Sequence, residues 1–418
     1  MAEKFVIEGG HKLEGEVEIN GSKNAAAQLL GAALLTDQEC IIDNLPRVED
    51  ILVLLDVIKG MGAEVDWLEE RKVKIKGKNI DPEKLDFEKF SQARVSVLLI
   101  GPLLSRFKNF KISRPGGDRI GLRPITTHLI ALRELGTEIE EEGDFYYFHS
   151  NGLKNNEITL PEFSVTATSN LIMAASSILG ETLIKGAACE PEISNLVEML
   201  KEMGVKIEGL DTHALNIIGA KNLKGGNFSV MPDRIETGTF MVIAGLAGRI
   251  KIKNVRLDHL ALFLAKLKEL GVNFEKDSEN SVIVNYSSKL KASKIQALPY
   301  PGFPTDLLPL VVPLLTQAEG RSLIHDPLYE NRLNYTQELR KMGADIEIVD
   351  PHRAFVFGKT ELKGVRIESW DIRAGASLVV AALIASGKTT ISNIYQIDRG
   401  YEKLDERLNN LGANIKRI

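Results

Sequence analysis

The segment Leu404-Asp405-Glu406-Arg407-Leu408-Asn409-Asn410-Leu411-Gly412-Ala413-Asn414-Ile415 reads as a helix, a stop and the start of a strand. Leu404, Leu408 and Leu411 share one stripe of an amphipathic helix predicted over Tyr401–Leu411. Gly412 then supplies the left-handed stop that helices favour, and the residues after it are β-prone. The same succession of Leu or Met, Gly and a β-prone run occurs at Gly62, Gly136, Gly204, Gly271 and Gly343. The six glycines are separated by 74, 68, 67, 72 and 69 residues. Spacing this even predicts one structural unit repeated six times.

A second feature runs in phase with the first. Some 37 to 42 residues ahead of each glycine begins an apolar, small-residue-rich segment, at Ser22-Lys23-Asn24, Ala93-Arg94, Ser164-Val165-Thr166, Asp233-Arg234, Pro304-Thr305-Asp306 and Asp371-Ile372-Arg373. Ser96–Leu104 and Ala374–Ser386 are hydrophobic nearly all round, the pattern of helices buried inside a layer. Each unit of about 70 residues is therefore one buried helix, one half-exposed helix and several short strands. Six such units in two groups of three predict an α/β fold class with two similar domains of three repeat units each. The expected boundaries are 22–230 for the first domain, carrying a glycine-rich loop at 114–123, and 1–21 plus 231–418 for the second. The strand Phe5–Glu8 is expected to pair with the last unit and close the second domain.

The buried helices begin on polar or charged residues. A helix N-terminus carries unsatisfied N–H groups and a partial positive charge. Three parallel helices in each domain would gather positive ends on one face, and two such faces opposed across a cleft would attract anions. Basic residues are disfavoured at helix N-termini, so Lys23, Arg94 and Arg373 in those positions call for an anionic ligand. Arg123, Arg332 and Arg399 lie in the turns ahead of surface helices and add planar forks suited to carboxylate and phosphate.

The chain has 418 residues, 44% hydrophobic and 26% charged, with a net charge of -5. This is a globular composition, and it gives no reason to expect nucleic acid as a partner. Cys40 and Cys189 are its two cysteines, without metal-ligand spacing, which fits a reducing compartment. The N-terminus lacks a signal pattern, and no apolar run approaches the roughly 18 residues of a membrane span, so a cytoplasmic location is expected. The Gly116–Gly121 stretch fits the dinucleotide fingerprint poorly, no Walker loop or Gly-x-Ser-x-Gly elbow is present, and the seven histidines form no spaced metal pair. No cofactor and no metal are expected.

Six motifs carry a family resemblance. They are Gly21-Ser22-Lys23-Asn24-Ala25-Ala26, Pro115-Gly116-Gly117-Asp118-Arg119-Ile120-Gly121-Leu122-Arg123-Pro124, Pro232-Asp233-Arg234-Ile235-Glu236-Thr237-Gly238-Thr239, Phe303-Pro304-Thr305-Asp306, Tyr329-Glu330-Asn331-Arg332 and Ile397-Asp398-Arg399-Gly400-Tyr401-Glu402. In this order, from about Phe5 to Ile418, the chain resembles the UDP-N-acetylglucosamine enolpyruvyl transferases of the enolpyruvyl transferase family. The resemblance implies transfer of the enolpyruvyl group of phosphoenolpyruvate to the 3-hydroxyl of UDP-N-acetylglucosamine, the committed step of peptidoglycan synthesis, in a cleft between the domains. Its partners would be these two small molecules, with no nucleic acid and no membrane.

The resemblance also assigns residues. Lys23, Arg123 and Arg399 match the cations around the phosphate of phosphoenolpyruvate, Arg332 and Arg373 those near its carboxylate, with Asn24 beside them. Asn24, Arg94, Thr305 and Asp306 match the amino-sugar site, with Asp306 as base for the 3-hydroxyl. Arg123, Pro124, Ile125, Thr126, Thr127, Ser164, Val165 and Leu328 match the uridine diphosphate site. His128, Glu190, Asp233 and Asp371 fall at polar positions lining the family's cleft, where Glu190 and Asp233 suit support as well as catalysis. The catalytic set implied is Asp118, Asp306, Lys23 and Arg399. Addition–elimination through a tetrahedral intermediate needs a base, an acid at C3 and cations throughout; Asp118 and Lys23 both suit the acid.

Three positions depart from the family pattern. Glu162 stands where a basic residue would help a diphosphate, Thr126 where relatives often have aspartate, and Asp118 where many have the cysteine that fosfomycin alkylates. The resemblance therefore implies fosfomycin resistance. Two other readings compete: a 5-enolpyruvylshikimate-3-phosphate synthase-like transferase, and a nucleotide-sugar sensor of the same fold without turnover. A sensor would be expected to lack Asp306, Lys23 or the arginines, and all are present.

Overall fold

The computed structural model of the chain describes residues 3–118 and 120–418. Met1, Ala2 and Arg119 lie outside the described residues, and with them those positions of the expected second domain and of the loop 114–123. The chain divides into two compact units. The first comprises Gly21–Gly117 and Arg123–Met231; the second takes the residues up to Asn20, Asp118–Leu122 and Pro232–Ile418. The loop 114–123, expected in the first domain, thus gives its middle to the second unit. Backbone bonding is one reason: the Asn331 N–H donates to the Ile120 carbonyl at 3.1 Å.

All six predicted stops have the left-handed backbone, with φ between 86° and 109° at Gly62, Gly136, Gly204, Gly271, Gly343 and Gly412. A side chain at such a φ is strained, so the spacing of glycines records the repeat directly.

In the first unit the buried helices are Lys23–Ala32, the pair Arg94–Leu99 and Ile100–Arg106, and Val165–Ala175, packed on one another. In the second they are Arg234–Ala247, Leu308–Leu315 and Ile372–Ile384, also in mutual contact. Every residue of Leu308–Leu315 is buried. The segment expected as one helix over Ser96–Leu104 is instead 3-10 to Leu99 and α-helical only from Ile100. Pro102 has no N–H to give an α-helical bond, so the α ladder restarts with the proline in its first turn.

Among the described residues six small sheets surround these helices, three in each unit. Their strands alternate buried and half-exposed residues, as in Glu39–Asp43 and Glu181–Lys185, so each sheet gives one face to its unit's core. The strand Lys4–Glu8 lies antiparallel between Lys388–Ser392 and Asn414–Arg417, closing the second unit. Core burial supplies most of the stability. Phe263, fully buried with its ring 5.7 Å from that of Phe303, would cost about 3–5 kcal/mol if cut to alanine.

The helix expected over Tyr401–Leu411 begins at Leu404, after Lys403 in a left-handed turn. Tyr401 is pulled into the core, where its hydroxyl lies 2.9 Å from that of Thr239. A stripe of leucines could not distinguish this buried tyrosine from the first residue of a surface helix.

Candidate active site

The helix Lys23–Ala32 starts because Ser22 caps it, its hydroxyl accepting from the Ala25 N–H at 3.3 Å. That start leaves Lys23 in the first turn, buried, with its Nζ 2.9 Å from Asp50 Oδ2. Asn24 follows it, half-buried. Arg94 begins the second buried segment and donates from Nη2 to the Pro124 carbonyl at 3.3 Å. Gly117, at φ +129°, brings the backbone so near that an added Cβ would sit 2.9 Å from Arg94 Cβ and 3.2 Å from Arg123 Nη1. Arg94, Arg123 and the glycine-rich loop are thus neighbours within the first unit.

The helix Thr126–Glu134 follows the exposed Pro124 and the buried Ile125, and Thr126 faces out. Thr127 is buried and donates to Glu162 Oε1 at 2.6 Å. Ser164 caps the helix Val165–Ala175 through the Ala167 N–H.

His128 sits wholly inside the first unit, with Nε2 3.0 Å from the Thr166 hydroxyl and Nδ1 3.0 Å from Asn170 Nδ2. Asn170 Oδ1 accepts from the Gly101 N–H, and its amide also donates to the Val97 carbonyl. The amide orientation therefore makes His128 Nδ1 an acceptor and leaves the proton on Nε2. Burial, helped by the charge of Arg94, pushes the His128 pKa down to about 3. It is a neutral structural imidazole, not an acid or base for neutral pH.

In the second unit, Asp233 and Asp371 cap the helices Arg234–Ala247 and Ile372–Ile384. Asp233 Oδ1 accepts from the N–H groups of Ile235 and Glu236, and Asp371 Oδ1 from those of Arg373 and Ala374. Burial raises the pKa of both carboxyls. Glu190 holds the N-cap position of the helix Pro191–Glu202 in the first unit without a side-chain capping bond.

Asp306 is the centre of the second unit's cluster. Its Oδ1 accepts from Arg332 Nη2 at 2.7 Å and its Oδ2 from Arg373 Nε at 3.1 Å. The two guanidinium side chains are 1% and 3% exposed, whereas that of Asp306 is 30% exposed. Arg332 Nε and Arg373 Nη1 are buried without a hydrogen-bond partner among the described residues. Arg399 Nη1 donates to Asp118 Oδ1 at 2.6 Å and to Gln396 Oε1 at 2.8 Å. Buried cations in this number are costly unless anions meet them.

Some contributors escaped the sequence reading. Asp326, fully buried, accepts from the Thr305 hydroxyl at 2.5 Å and the Leu328 N–H at 3.0 Å, fixing two expected site residues. Asp50 holds Lys23, Gln396 holds Arg399, and the ring of Tyr401 lies 5.2 Å from the Arg373 guanidinium. Tyr335 is buried beside Arg332 with an unpartnered hydroxyl. Their roles come from what the fold places beside them, and no spacing in the sequence betrays them. Among the described residues no group of three or more His, Cys, Asp or Glu side chains could hold a metal ion. No helix among them is long and apolar enough to cross a membrane.

Residues 7–408 match the family model described as EPSP synthase (3-phosphoshikimate 1-carboxyvinyltransferase). A Clostridium tetani protein named UDP-N-acetylglucosamine 1-carboxyvinyltransferase 2 is 42% identical over 417 residues, covering 99% of this chain and 100% of the relative. A protein of the same name from Carboxydothermus hydrogenoformans is 43% identical over 418 residues, covering 100% and 99%. Among solved structures, the enolpyruvyl transferase NikO from Streptomyces tendae superposes with a TM-score of 0.91 at 22% identity, covering 100% of this chain and 99% of that one. An EPSP synthase from Acinetobacter baumannii gives 0.76 at 20% identity, with both chains fully covered. At these identities the structures speak for the fold alone.

Proposed function

The chain belongs to the enolpyruvyl transferase family, in its UDP-N-acetylglucosamine 1-carboxyvinyltransferase branch, and from that membership we propose that it transfers the enolpyruvyl group of phosphoenolpyruvate to the 3-hydroxyl of UDP-N-acetylglucosamine. Phosphate is released, and the product enters peptidoglycan synthesis. The observation that carries the reading is the convergence of Arg332 and Arg373, both buried, on one carboxylate, with Arg332 Nε and Arg373 Nη1 still unpartnered. Planar forks gathered in this way suit a small carboxylate ligand.

In this reading Arg332 and Arg373 take the carboxylate of phosphoenolpyruvate, and Lys23, Arg123 and Arg399 take its phosphate. Arg94, Thr305 and Asp306 take the amino sugar, with Asn24 serving both substrates. Pro124–Thr127, Ser164, Val165 and Leu328 take the nucleotide. Asp306 removes the proton of the 3-hydroxyl as the oxygen attacks C2. C3 gains a proton from Asp118 or Lys23, and the cations hold the charge of the tetrahedral intermediate. Expulsion of phosphate then restores the double bond. The enzyme would work in the cytoplasm, on small molecules. Glu162, held by Thr127, replaces a cation at the diphosphate with a fixed carboxylate, so those contacts differ from the family pattern.

Phosphate release from phosphoenolpyruvate, measured in parallel with UDP-N-acetylglucosamine and with shikimate 3-phosphate, tests the proposal. Release with the first alone is expected. Release with shikimate 3-phosphate alone would move the chain to the shikimate branch, and release with neither would leave the sensor.

A further inference from the structure

Asp306 is assigned as a base, yet both of its oxygens are engaged by the arginines assigned to the substrate's carboxylate. This contact has the features of a temporary one. Neither guanidinium makes the two-bond fork that gives arginine–carboxylate pairs their strength: Arg332 uses Nη2, which it shares with the Thr305 carbonyl at 3.4 Å, and Arg373 uses Nε. Arg332 Nε and Arg373 Nη1 remain as buried donors without partners. The arginines are fixed parts of the core, while Asp306 is the middle residue of the short 3-10 turn Thr305–Leu307 and keeps 30% of its side chain exposed. The exposed member of the cluster is the one able to move.

We propose that Asp306 is a built-in stand-in for the carboxylate of the incoming enol phosphate, and that substrate binding is an exchange of one carboxylate for another. Asp371 and Asp326 also act on Arg332, and Asp233 on Arg373, but Asp306 is hydrogen-bonded to both guanidiniums and supplies that shared contact until the substrate does. The arriving carboxylate takes the arginines, with the two unpartnered donors available to complete its bonds. Asp306 is released at the same moment to accept the proton of a hydroxyl. The base is thereby withheld until the group that the hydroxyl must attack is in place. This inference rests on the function proposed above and adds a control to the same site.

An internal competitor lowers apparent affinity by the fraction of protein in the competent state. If about a tenth of the arginine pairs are open, Asp306→Asn should bind phosphoenolpyruvate about tenfold more tightly than the natural protein. Titration calorimetry with phosphoenolpyruvate alone, without the UDP-sugar, makes the measurement, and circular dichroism checks that the variant is folded. Asp306→Ser, smaller and equally neutral, should also bind more tightly, whereas Asp306→Glu keeps the competing charge and should not. Equal or weaker binding by both neutral variants overturns the exchange, because Asp306 then supports the arginines rather than competing for them. If that result accompanies normal phosphate release by the natural enzyme, the exchange fails and the function stands. If the natural protein neither binds phosphoenolpyruvate nor releases phosphate, both fall.

Discussion

Lys23 Nζ lies 2.9 Å from Asp50 Oδ2, with the two side chains 10% and 4% exposed. The lysine is held at the first turn of its helix, where the dipole opposes a cation, and Asp50 supplies part of the compensation. Asp50→Asn should lower the unfolding free energy by about 3 kcal/mol, the lower end for breaking a buried ion pair, because a buried cation loses a charged partner while asparagine keeps a hydrogen-bonding oxygen. It should also raise the KM for phosphoenolpyruvate severalfold with a smaller change in kcat, since the lysine is less well directed. Denaturant titration and steady-state kinetics make the check. Unchanged stability together with unchanged KM would remove Asp50 from the account.

Asp306→Asn and Arg399→Ala separate chemistry from binding. The first keeps a group of the same size but removes the basic carboxylate. Turnover should fall by on the order of 100-fold or more, with UDP-sugar affinity much less affected. Arg399→Ala removes a buried guanidinium proposed to hold the phosphate and should act chiefly on phosphoenolpyruvate use. Near-normal turnover by Asp306→Asn would show that another group takes the proton.

His128 predicts an acid-sensitive fold. Its pKa is about 3 in the folded chain and about 6.5 in the unfolded one. Below pH 6.5 the unfolded chain takes up a proton that the fold refuses. Its contribution is therefore fully present above that pH and is lost as pH falls, by roughly 1.4 kcal/mol per pH unit. His128→Gln keeps a donor and an acceptor but cannot titrate. Between pH 6.5 and 4.5 its melting temperature should fall less steeply than that of the natural protein, and parallel curves would contradict the assignment.

Much of the fold was legible because it is periodic. Six glycines at positive φ and six buried helices recur at near-constant spacing, and each is a local event that a sequence window can contain. Candidate residues stood out in the sequence where they sit at helix starts, as with Lys23, Arg94 and Arg373, because charge there conflicts with the dipole. Partners were hidden. Asp50 and Asp326 meet their partners from 27 and 21 residues away, and Gln396 meets Arg399 from three, but nothing in their own sequence surroundings marks any of them. The engagement of Asp306 by Arg332 and Arg373 was equally invisible, since all three had been given to substrate. Tyr401 misled for a related reason, as hydrophobic spacing does not say which end of an apolar stripe turns inward.

The loop from Arg114 to Arg123 should report on ligand binding. Asp118 is bonded to Arg399 and Ile120 to Asn331, while Gly117 adjoins Arg94 and Arg123, so groups assigned to both substrates touch it. Hydrogen exchange of the loop amides should slow on adding UDP-N-acetylglucosamine. Identical exchange with and without the UDP-sugar would deny the loop a part in binding.

Asp118 should also set the response to fosfomycin. The family's loop cysteine is alkylated because a thiolate opens the epoxide; a carboxylate is a far weaker nucleophile, and this one is held 2.6 Å from Arg399, with its side chain 13% exposed. Neither thiol of the chain offers a substitute target. Burial pushes both Cys40 and Cys189 up to about 11, so each is a protonated thiol at neutral pH. The natural enzyme should keep its activity through long incubation with fosfomycin. Asp118→Cys should stay active and become sensitive, because Arg399 beside the new sulfur would favour its thiolate. Mass spectrometry gives the decisive reading: an adduct on the loop is expected in the variant alone, and one on Asp118 in the natural enzyme would show that pairing with Arg399 does not protect the carboxylate.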